Sequence, residues 1–276
     1  MNKLFGDAKT ESRQCNDHGE YTATNMFGNH WSECPECNRL QCERNAEAHQ
    51  RELQRQLEER KSDILKRNMA KSGIPERFQN RTLETYIATT KEQQYALSFA
   101  KDFAASFAGE KTGQGAIFCG ERGTGETHIA IGVSSAIMRQ YSRSAIFITV
   151  QRLIRSVRDT WSRESEKTES EVIRFFTEPD LLVLDEVGVQ SGSENEKQIL
   201  FDLLNERYQQ RKSTIVLTNL TANECVAFLG ERIVDRFRED GGVVIPFTWD
   251  SYRGKVEPES VPFAPLVLDI DGYRVI

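Results

Sequence analysis

The chain has 276 residues, of which 28% are charged, and its formal net charge at pH 7 is -6. This acidic balance excludes a protein that coats nucleic acid with its whole surface, so any DNA contact must come from a local basic patch. No apolar stretch resembles a membrane span or a signal peptide, and we expect no association with membranes. The length predicts about two domains.

The N-terminal segment contains two pairs of potential metal ligands. Cys15 and His18 are separated by two residues, and Cys34 and Cys37 repeat that spacing after an interval of fifteen residues. Thiolate and imidazole ligands suit tetrahedral Zn²⁺, and a short segment with little core needs such a link. The sequence therefore predicts a zinc site. Cys42 could replace His18 as the fourth ligand, and a set of free thiols with a surface histidine is the alternative.

A charged segment follows at residues 38–69, rich in Glu, Gln, Arg and Lys with sparse apolar residues. It predicts a long, solvated helix with a narrow apolar stripe, which is either a spacer or self-pairing helix or a docking helix for a partner. Gly and Pro at residues 72–75 end this helix. We divide the chain into a zinc-binding module (1–42), a charged helix and linker (43–72), an ATPase-like domain (73–256) and a C-terminal extension (257–276), in which alternation predicts a short strand.

The segment from Gly120 to Thr127 departs at one position from the P-loop pattern Gly-x4-Gly-Lys-Ser/Thr. It follows an apolar run at 116–119 and precedes apolar residues at helical spacing, so strand, loop and helix occur in the required order. In such a loop the backbone N–H groups bind phosphates and the hydroxyl binds Mg²⁺. A P-loop-like turn without a nucleotide site is the alternative. The predicted contacts to ATP or ADP with Mg²⁺ are Gly120, Gly123, Thr124, Gly125, Glu126, Thr127 and His128.

Glu126 occupies the position of the P-loop lysine, which reaches the β- and γ-phosphates. The substitution removes a charge-assisted hydrogen bond worth about 1.5–3 kcal/mol. It also places a carboxylate beside the polyphosphate, and this repulsion is stronger in a half-buried cleft than in water. We therefore predict that nucleotide affinity is weakened by roughly two or more powers of ten.

The predicted helix at residues 151–161 has two distinct faces. Its apolar face carries Leu153, Ile154, Val157 and Trp161. A second face carries Arg152, Arg155 and Arg158. Arginines near an aromatic side chain favour a path for single-stranded DNA, in which the arginines neutralise the backbone and the ring stacks on a base. An ordinary solvated helix face is the alternative.

Two further apolar strands end in polar residues. The strand at 181–184 leads into Asp185 and Glu186, and the strand at 214–218 leads into Asn219. The carboxyl ends of parallel strands meet at one ligand crevice. We expect Asp185 to hold Mg²⁺ through water, Glu186 to polarise the attacking water, and Asn219 to sense the γ-phosphate or position water. Capping of the next helix is the alternative for Asn219.

Four motifs together resemble those of the DnaC-type helicase loaders, AAA+ ATPases of bacteria and phages, over about residues 74–256. They are GIPERF at 73–78, GTG followed by TH at 123–128, GERIVDR at 230–236 and WDSYR at 249–253. The Cys/His-rich N-terminus is similar to the zinc-binding version of that family. The resemblance implies an α/β AAA+ core, with a parallel sheet flanked by helices, joined by a long helix to a small zinc-ribbon-like domain.

The resemblance also implies partners and further site residues. Such loaders bind the hexameric replicative helicase through the N-terminal domain and place it on single-stranded DNA through a spiral of AAA+ domains, so we expect self-association. Arg236 matches the arginine finger, which reaches a neighbour's γ-phosphate. Arg253 matches the second sensor of the subunit's own nucleotide. Surface ion pairing is the alternative for both arginines. A chain with few cysteines and an ATPase-like core is expected in the reducing cytoplasm.

Two other functions fit the same motifs. One is an ATPase partner of a transposase, which would lack a zinc module for helicase docking. The other is a non-hydrolysing adaptor or inhibitor, which would bind the helicase without nucleotide dependence. Three explanations of the departure at Glu126 are open. They are an engineered loss of function, a natural loss of ATP use, and a change for which the rest of the pocket compensates. Because the other expected site residues are present, an engineered or recent change is favoured.

Overall fold

The computed structural model describes residues 9–25, 30–109, 113–189 and 193–252. The chain forms two compact units, Met1–Ile64 and Leu65–Ile276. The boundary between them falls within a single helix, α1, which extends from Pro35 to Lys71. The sequence-based boundary at residue 42 also lies inside this helix. Among the described residues, no helix is both long and apolar enough to cross a membrane.

The first unit begins with an antiparallel hairpin of β1 (Lys9–Cys15) and β2 (Gly19–Asn25). Three residues connect the strands, and Gly19 takes the left-handed conformation, with φ +80, that such short hairpin turns require. Helix α1 then starts with proline, which is tolerated at the first helical position because its missing N–H would have no partner there. The start of α1 and the hairpin turn thus carry the cysteine and histidine pairs of the predicted metal site.

Helix α1 confirms the prediction of a long, solvated helix. It contains no buried residue, and Leu53 and Leu57 are each about half exposed. Ion pairs at helical spacing join neighbouring turns, among them Arg39 with Glu43 and Arg55 with Glu59. Each exposed pair contributes only a few tenths of a kcal/mol, roughly 0.3–0.5.

The second unit is built around a five-stranded parallel sheet with the strand order β4-β5-β6-β3-β7. The strands are β3 Gly115–Gly120, β4 Ala145–Thr149, β5 Leu181–Asp185, β6 Ser213–Thr218 and β7 Val243–Phe247. Parallel register along the four strand pairs brings the carboxyl ends of all five strands to one edge of the sheet. This arrangement confirms the predicted α/β fold.

Helices cover both faces of the sheet. They are α2 Lys91–Ala105, α3 Glu126–Tyr141, α4 Val150–Asp159, α5 Glu169–Thr177, α6 Glu194–Gln209, α7 Ala222–Leu229 and α8 Glu231–Glu239. Four of them start with a capping box, in which a Ser or Thr and the Glu or Gln three residues later satisfy the free N–H groups at the helix start. Two short 3-10 helices, Glu76–Phe78 and Ser106–Ala108, complete the described elements.

The core consists of two layers, one on each side of the sheet. Alternate residues of β3 show this clearly, since Phe118 packs into the layer under α2 and α3, whereas Ile117 packs into the layer under α4, α6 and α8. Every residue of β3 except its last is buried. Strands buried on both faces are continuously apolar rather than alternating, which is why short apolar runs marked them in the sequence.

One charged side chain lies completely inside the second layer. Arg207, near the end of α6, donates hydrogen bonds to the carbonyl oxygens of Phe176, Thr177, Pro179 and Ser213 and to the hydroxyl oxygen of Thr214. Burial lowers the pKa of Arg207 to about 9, and the charge of Asp180 opposes that shift. Its guanidinium group therefore joins the end of α5 to the starts of β5 and β6.

Most predicted elements are present, with bounds that differ by a few residues. The prediction for the helix at 151–161 was wrong at its end, because α4 stops at Asp159 and Trp161 lies beyond it, 52% exposed, rather than on the apolar face. The strand predicted in the C-terminal extension lies outside the described residues.

Candidate functional site

The glycine-rich loop connects β3 to α3 at the carboxyl edge of the sheet. Gly123 and Gly125 have φ values of +93 and +108, which L side chains rarely adopt. A Cβ atom on Gly120 would lie 2.4 Å from the carbonyl oxygen of Phe247, and one on Gly125 would lie 2.8 Å from the Tyr86 ring. The lack of space therefore requires glycine at positions 120 and 125, and the backbone conformation requires it at positions 123 and 125.

The loop is held from its outer side by residues after β7. The indole N–H of Trp249 donates to the carbonyl oxygen of Thr124 at 2.7 Å. The backbone N–H of Tyr252 donates to the carbonyl oxygen of Gly123 at 2.8 Å. The Trp249 ring packs on Phe247 with ring centroids 4.7 Å apart. These contacts occupy loop carbonyl groups.

Glu126 is the first residue of α3, and its side chain lies over the loop rather than in solvent. A Cβ atom on Gly120 would lie 2.9 Å from its Oε1 atom. Burial raises the pKa of Glu126, and the charge of Asp185 adds to that increase. The Thr124 hydroxyl and nearby backbone N–H groups oppose the shift. A partly buried carboxylate at this position opposes a polyphosphate, so the residues present do not fit ATP as an ordinary P-loop does.

The polar residues that the sequence assigned to strand ends do lie together. Thr127, Asp185, Glu186 and Asn219 line one cavity of about 370 Å³ with Glu126. We call this cavity the strand-end cavity. Its remaining lining residues are Arg77, Phe78, Arg122, Gly123, Leu217 and Thr218.

Asp185 and Glu186 differ in their surroundings. Burial, together with the charge of Glu186, raises the pKa of Asp185 to about 6, although the N–H of Glu186 donates to its Oδ1 at 2.8 Å and opposes the shift. Glu186 is exposed and has φ +59, a conformation that costs a residue with a side chain roughly 1–3 kcal/mol. Strain of this kind concentrates at ligand sites, which is consistent with a role for this strand end.

We expect Asp185→Asn to stabilise the chain at neutral pH. A carboxyl group whose pKa is raised by folding contributes stability that is fully present below its unfolded value of 3.8 and is lost as pH rises through about 6. The substitution should raise the free energy of unfolding by about 2 kcal/mol at pH 7.5 and change it little at pH 4. Urea denaturation at both pH values with EDTA measures this. Asp202→Asn, an exposed change on α6, is the control, and an equal gain at both pH values would contradict the prediction.

A second cavity of about 280 Å³ adjoins the loop on the side of α3, and we call it the aromatic cavity. It shares Phe78, Gly123, Glu126 and Thr127 with the strand-end cavity. Its other lining residues are Arg81, Thr85, Tyr86, Ile87, Gln93, Thr124, Gly125, His128, Ile131 and Tyr252. The two cavities therefore adjoin at these four residues, and we refer to the pair as the cleft beside the glycine-rich loop.

His128 is fixed at the wall of the aromatic cavity. Its Nδ1 accepts from Arg81 at 3.1 Å, and its Nε2 lies 3.0 Å from the carbonyl oxygen of Thr82, which makes the neutral Nε2–H form the consistent one. Burial lowers the pKa of His128, and the charge of Arg81 lowers it further. The ring meets Tyr86 edge to face at 5.4 Å. His128 thus connects α3 to the segment that carries Arg81, Thr82 and Tyr86.

Of the two arginines inferred from the family resemblance, only Arg236 lies among the described residues. Arg236, on α8, lies over two aromatic rings of α6, 5.6 Å from the centroid of Phe201 and 5.2 Å from that of Tyr208. Its Nη1 atom is buried without a hydrogen-bond partner in the described part of the chain. The guanidinium group therefore contacts its own subunit in this structure. Arg253 lies outside the described residues.

The residues proposed for DNA contact form a less regular surface than the sequence predicted. Arg152 and Arg155 are exposed on α4. Arg158 is also exposed, and it pairs with the buried carboxylate of Glu196 at 3.0 Å. Trp161 is exposed, and its indole N–H donates to Glu169 at 2.8 Å. All three arginines and the Trp161 ring are exposed at this surface.

The predicted zinc ligands come together at the hairpin turn and the start of α1. The ligand atoms of Cys15, His18, Cys34 and Cys37 all lie within 4.8 Å of one another. His18 Nδ1 is 3.3 to 3.8 Å from the three sulfur atoms. Tetrahedral zinc with bonds of about 2.3 Å to sulfur separates its ligands by nearly 3.8 Å, so the set fits this ion. Cys42 is exposed beside Asn38 and does not belong to the set.

The thiols of this cluster influence one another's ionisation. The backbone N–H of Asp17 and the ring of His18 lower the pKa of Cys15 to about 6. The neighbouring Cys15 sulfur and burial raise the pKa of Cys37 to about 12. The Cys15 thiolate therefore suppresses ionisation of the Cys37 thiol. A bound Zn²⁺ would offset the repulsion between the two thiolates, because its positive charge stabilises both. The residues present fit zinc, which would connect the hairpin to α1.

Several residues that shape the cleft belong to no recognisable sequence motif. Tyr86, Arg81 and Thr85 come from a loop without a motif, and only the folded chain places them against α3. Trp249 was part of the WDSYR motif, and its position just after the last strand was the available signal for a contact at the carboxyl edge of the sheet.

Comparison with known proteins agrees with this geometry. The family described as IstB-like ATP binding protein matches residues 40–260. The replicative helicase loader DnaC of Escherichia coli K12 is 34% identical over 192 residues, which are 70% of this chain and 77% of DnaC. The crystal structure of the DnaC helicase loader has a TM-score of 0.56 at 24% identity, covering 62% of this chain and 99% of the other. The replication initiator DnaA bound to AMPPCP and single-stranded DNA has a TM-score of 0.52 at 20% identity, covering 62% and 50%. The chain therefore belongs to the IstB-like ATP binding protein family, within the DnaC-type AAA+ helicase loaders that its motifs resemble.

Proposed function

We propose that this protein is a replicative helicase loader that binds the hexameric helicase and places it on single-stranded DNA in the cytoplasm, with ATP use impaired by Glu126. The observation that carries the proposal is the 34% identity to a replicative helicase loader over 70% of the chain. A parallel α/β core and a Cys/His cluster beside a long polar helix support it.

The Cys/His cluster is the proposed docking element for the helicase. It holds the hairpin against the start of α1, and these short elements have almost no core, since only Ala23 and Cys34 are buried among the described residues of the first unit. A structural zinc site supplies folding free energy that so small a core cannot. The shape of the docking surface would then depend on the metal.

The experiment measures association with the replicative helicase of the same organism by size-exclusion chromatography. We expect replacement of both Cys34 and Cys37 by serine to abolish zinc binding and to weaken helicase association at least tenfold, because two of four ligands are lost. The ATPase-like core should remain folded, as judged by thermal unfolding. Cys42→Ser is the matched control on the same helix and should change neither property. Unchanged helicase association in the double variant would contradict docking through this module.

Glu126 favours a second candidate, a non-hydrolysing adaptor that holds or inhibits the helicase. The same association assay, repeated with and without Mg²⁺–ATP, separates the two. A loader with residual ATP use should respond to nucleotide, whereas the adaptor should bind alike in both conditions. Failure to bind the helicase at all would favour the third reading, an ATPase partner of a transposase.

The proposed single-stranded DNA path includes Arg152, Arg155 and Arg158 on α4 and Trp161 just after it, all of which are exposed. Arg158 also pairs with Glu196, so a DNA phosphate would compete with that carboxylate for its guanidinium group. Self-association through the AAA+ domains would require Arg236 to leave the rings of Phe201 and Tyr208 in order to reach a neighbouring subunit.

A further inference from the structure

The two cavities differ in chemical character. The aromatic cavity is lined by the apolar or aromatic side chains of Phe78, Tyr86, Ile87, Ile131 and Tyr252 together with polar side chains, and it shares Glu126 with the strand-end cavity. Pockets of this kind bind planar, largely uncharged groups, and a few polar atoms fix the orientation. The family description names ATP, which makes an adenine ring the natural occupant of this part.

The strand-end cavity, where phosphates would follow such a base, has an excess of negative charge. Three carboxylates line it, Glu126, Asp185 and Glu186, against the two guanidinium groups of Arg77 and Arg122. Its formal charge is therefore -1. A lysine at position 126 would make it +1, so this single residue reverses the sign of the cavity.

The positions of these charges strengthen the effect of the excess. Arg77 and Arg122 are exposed at the rim, and the Arg77 guanidinium lies over the Phe78 ring at 4.4 Å. Glu126 is only partly exposed, and its Oε1 atom lies close to Gly120 at the start of the loop. Water screens the exposed cations more than the partly buried anion, so the repulsion of a phosphate outweighs its attraction to the rim.

We propose that the cleft binds an uncharged purine nucleoside in preference to the corresponding nucleotides, with Glu126 as the residue that excludes the phosphates. The order of affinity is then adenosine, AMP, ADP and ATP, from tightest to weakest. This is the reverse of what a phosphate-binding loop with lysine produces. The inference concerns the cleft alone and is independent of helicase loading, so loss of helicase binding would leave it unaffected.

The test is a ligand-observed NMR titration of the full chain with adenosine, AMP, ADP and ATP, each with and without MgCl₂. We expect adenosine to bind at least tenfold tighter than ATP. Glu126→Gln keeps the size of the side chain and removes its charge, and it should reduce that ratio at least fivefold. Glu126→Lys should invert the order. Thermal unfolding of each variant confirms that the cleft is compared in folded proteins.

Three results would overturn the inference. The first is ATP binding to the unsubstituted chain at least as tightly as adenosine. A second is an order of affinities that Glu126→Gln leaves unchanged, which would show that another group excludes the phosphates. The third is absence of adenosine binding to both the unsubstituted chain and the glutamine variant, which would show that the aromatic cavity is not a base site.

Discussion

Replacing Glu126 with lysine is expected to raise the affinity for Mg²⁺–ATP by about a hundredfold or more. The change removes a partly buried carboxylate whose pKa is raised by desolvation and by the charge of Asp185. It supplies a cation at the position from which a P-loop lysine contacts the β- and γ-phosphates. Gly123, Thr127 and the strand-end residues already line the same cavity.

Fluorescent ATP binding in the presence of Mg²⁺ measures this gain. Glu121→Lys is the matched control, because Glu121 is an exposed glutamate of the same loop that lines neither cavity. It makes the same change of charge outside the cleft and should alter affinity less than threefold. Equal binding by the unsubstituted chain and the Glu126→Lys variant would show that the pocket compensates for the glutamate. Absence of binding in both would favour the adaptor.

The largest expected loss of stability follows from Arg207→Met. Methionine fills much of the same volume but donates no hydrogen bond, so five buried oxygen atoms would lose their partner. Each buried polar group left without a partner costs roughly 1–3 kcal/mol, and partial relaxation reduces the sum. We expect the free energy of unfolding to fall by about 3–5 kcal/mol.

Urea denaturation at constant pH measures the loss. Arg174→Met provides the control, because Arg174 lies on the surface of α5 and makes an exposed ion pair with Glu178. Arg207→Lys should be intermediate, since its ammonium group keeps the charge but lacks the planar fork that serves several acceptors at once. A loss below 1 kcal/mol for the methionine variant would show that the carbonyl groups find other partners.

The parts of the site that were predicted from the sequence are those whose chemistry is local. A glycine with φ above zero, a hydroxyl at the start of a helix and an acid at the end of a strand are each required by their immediate neighbours. The P-loop, Asp185 and Asn219 were recognisable for that reason. The Cys/His cluster was recognisable because its ligand spacing repeats.

The parts that were not predicted depend on contacts between distant segments. Arg207 lies among charged and polar residues in the sequence, yet it falls at helical spacing from Leu203 and Leu204, on the buried side of α6. Trp161 satisfied the same spacing relative to α4, but the helix ends two residues earlier. Helical periodicity identifies a face only while the helix continues, and it gives no information on what lies opposite that face.

The contact between Trp249 and the loop also gives the protein an optical reporter. Indole emission depends on the hydrogen bond of its N–H group, and here that group donates to the carbonyl oxygen of Thr124 while the ring packs on Phe247. Any ligand that turns the Thr124 peptide would alter this bond. The chain has three tryptophans, so replacing Trp31 and Trp161 by phenylalanine would leave Trp249 as the single tryptophan, in contact with the glycine-rich loop, and ligand entry could be followed without a label.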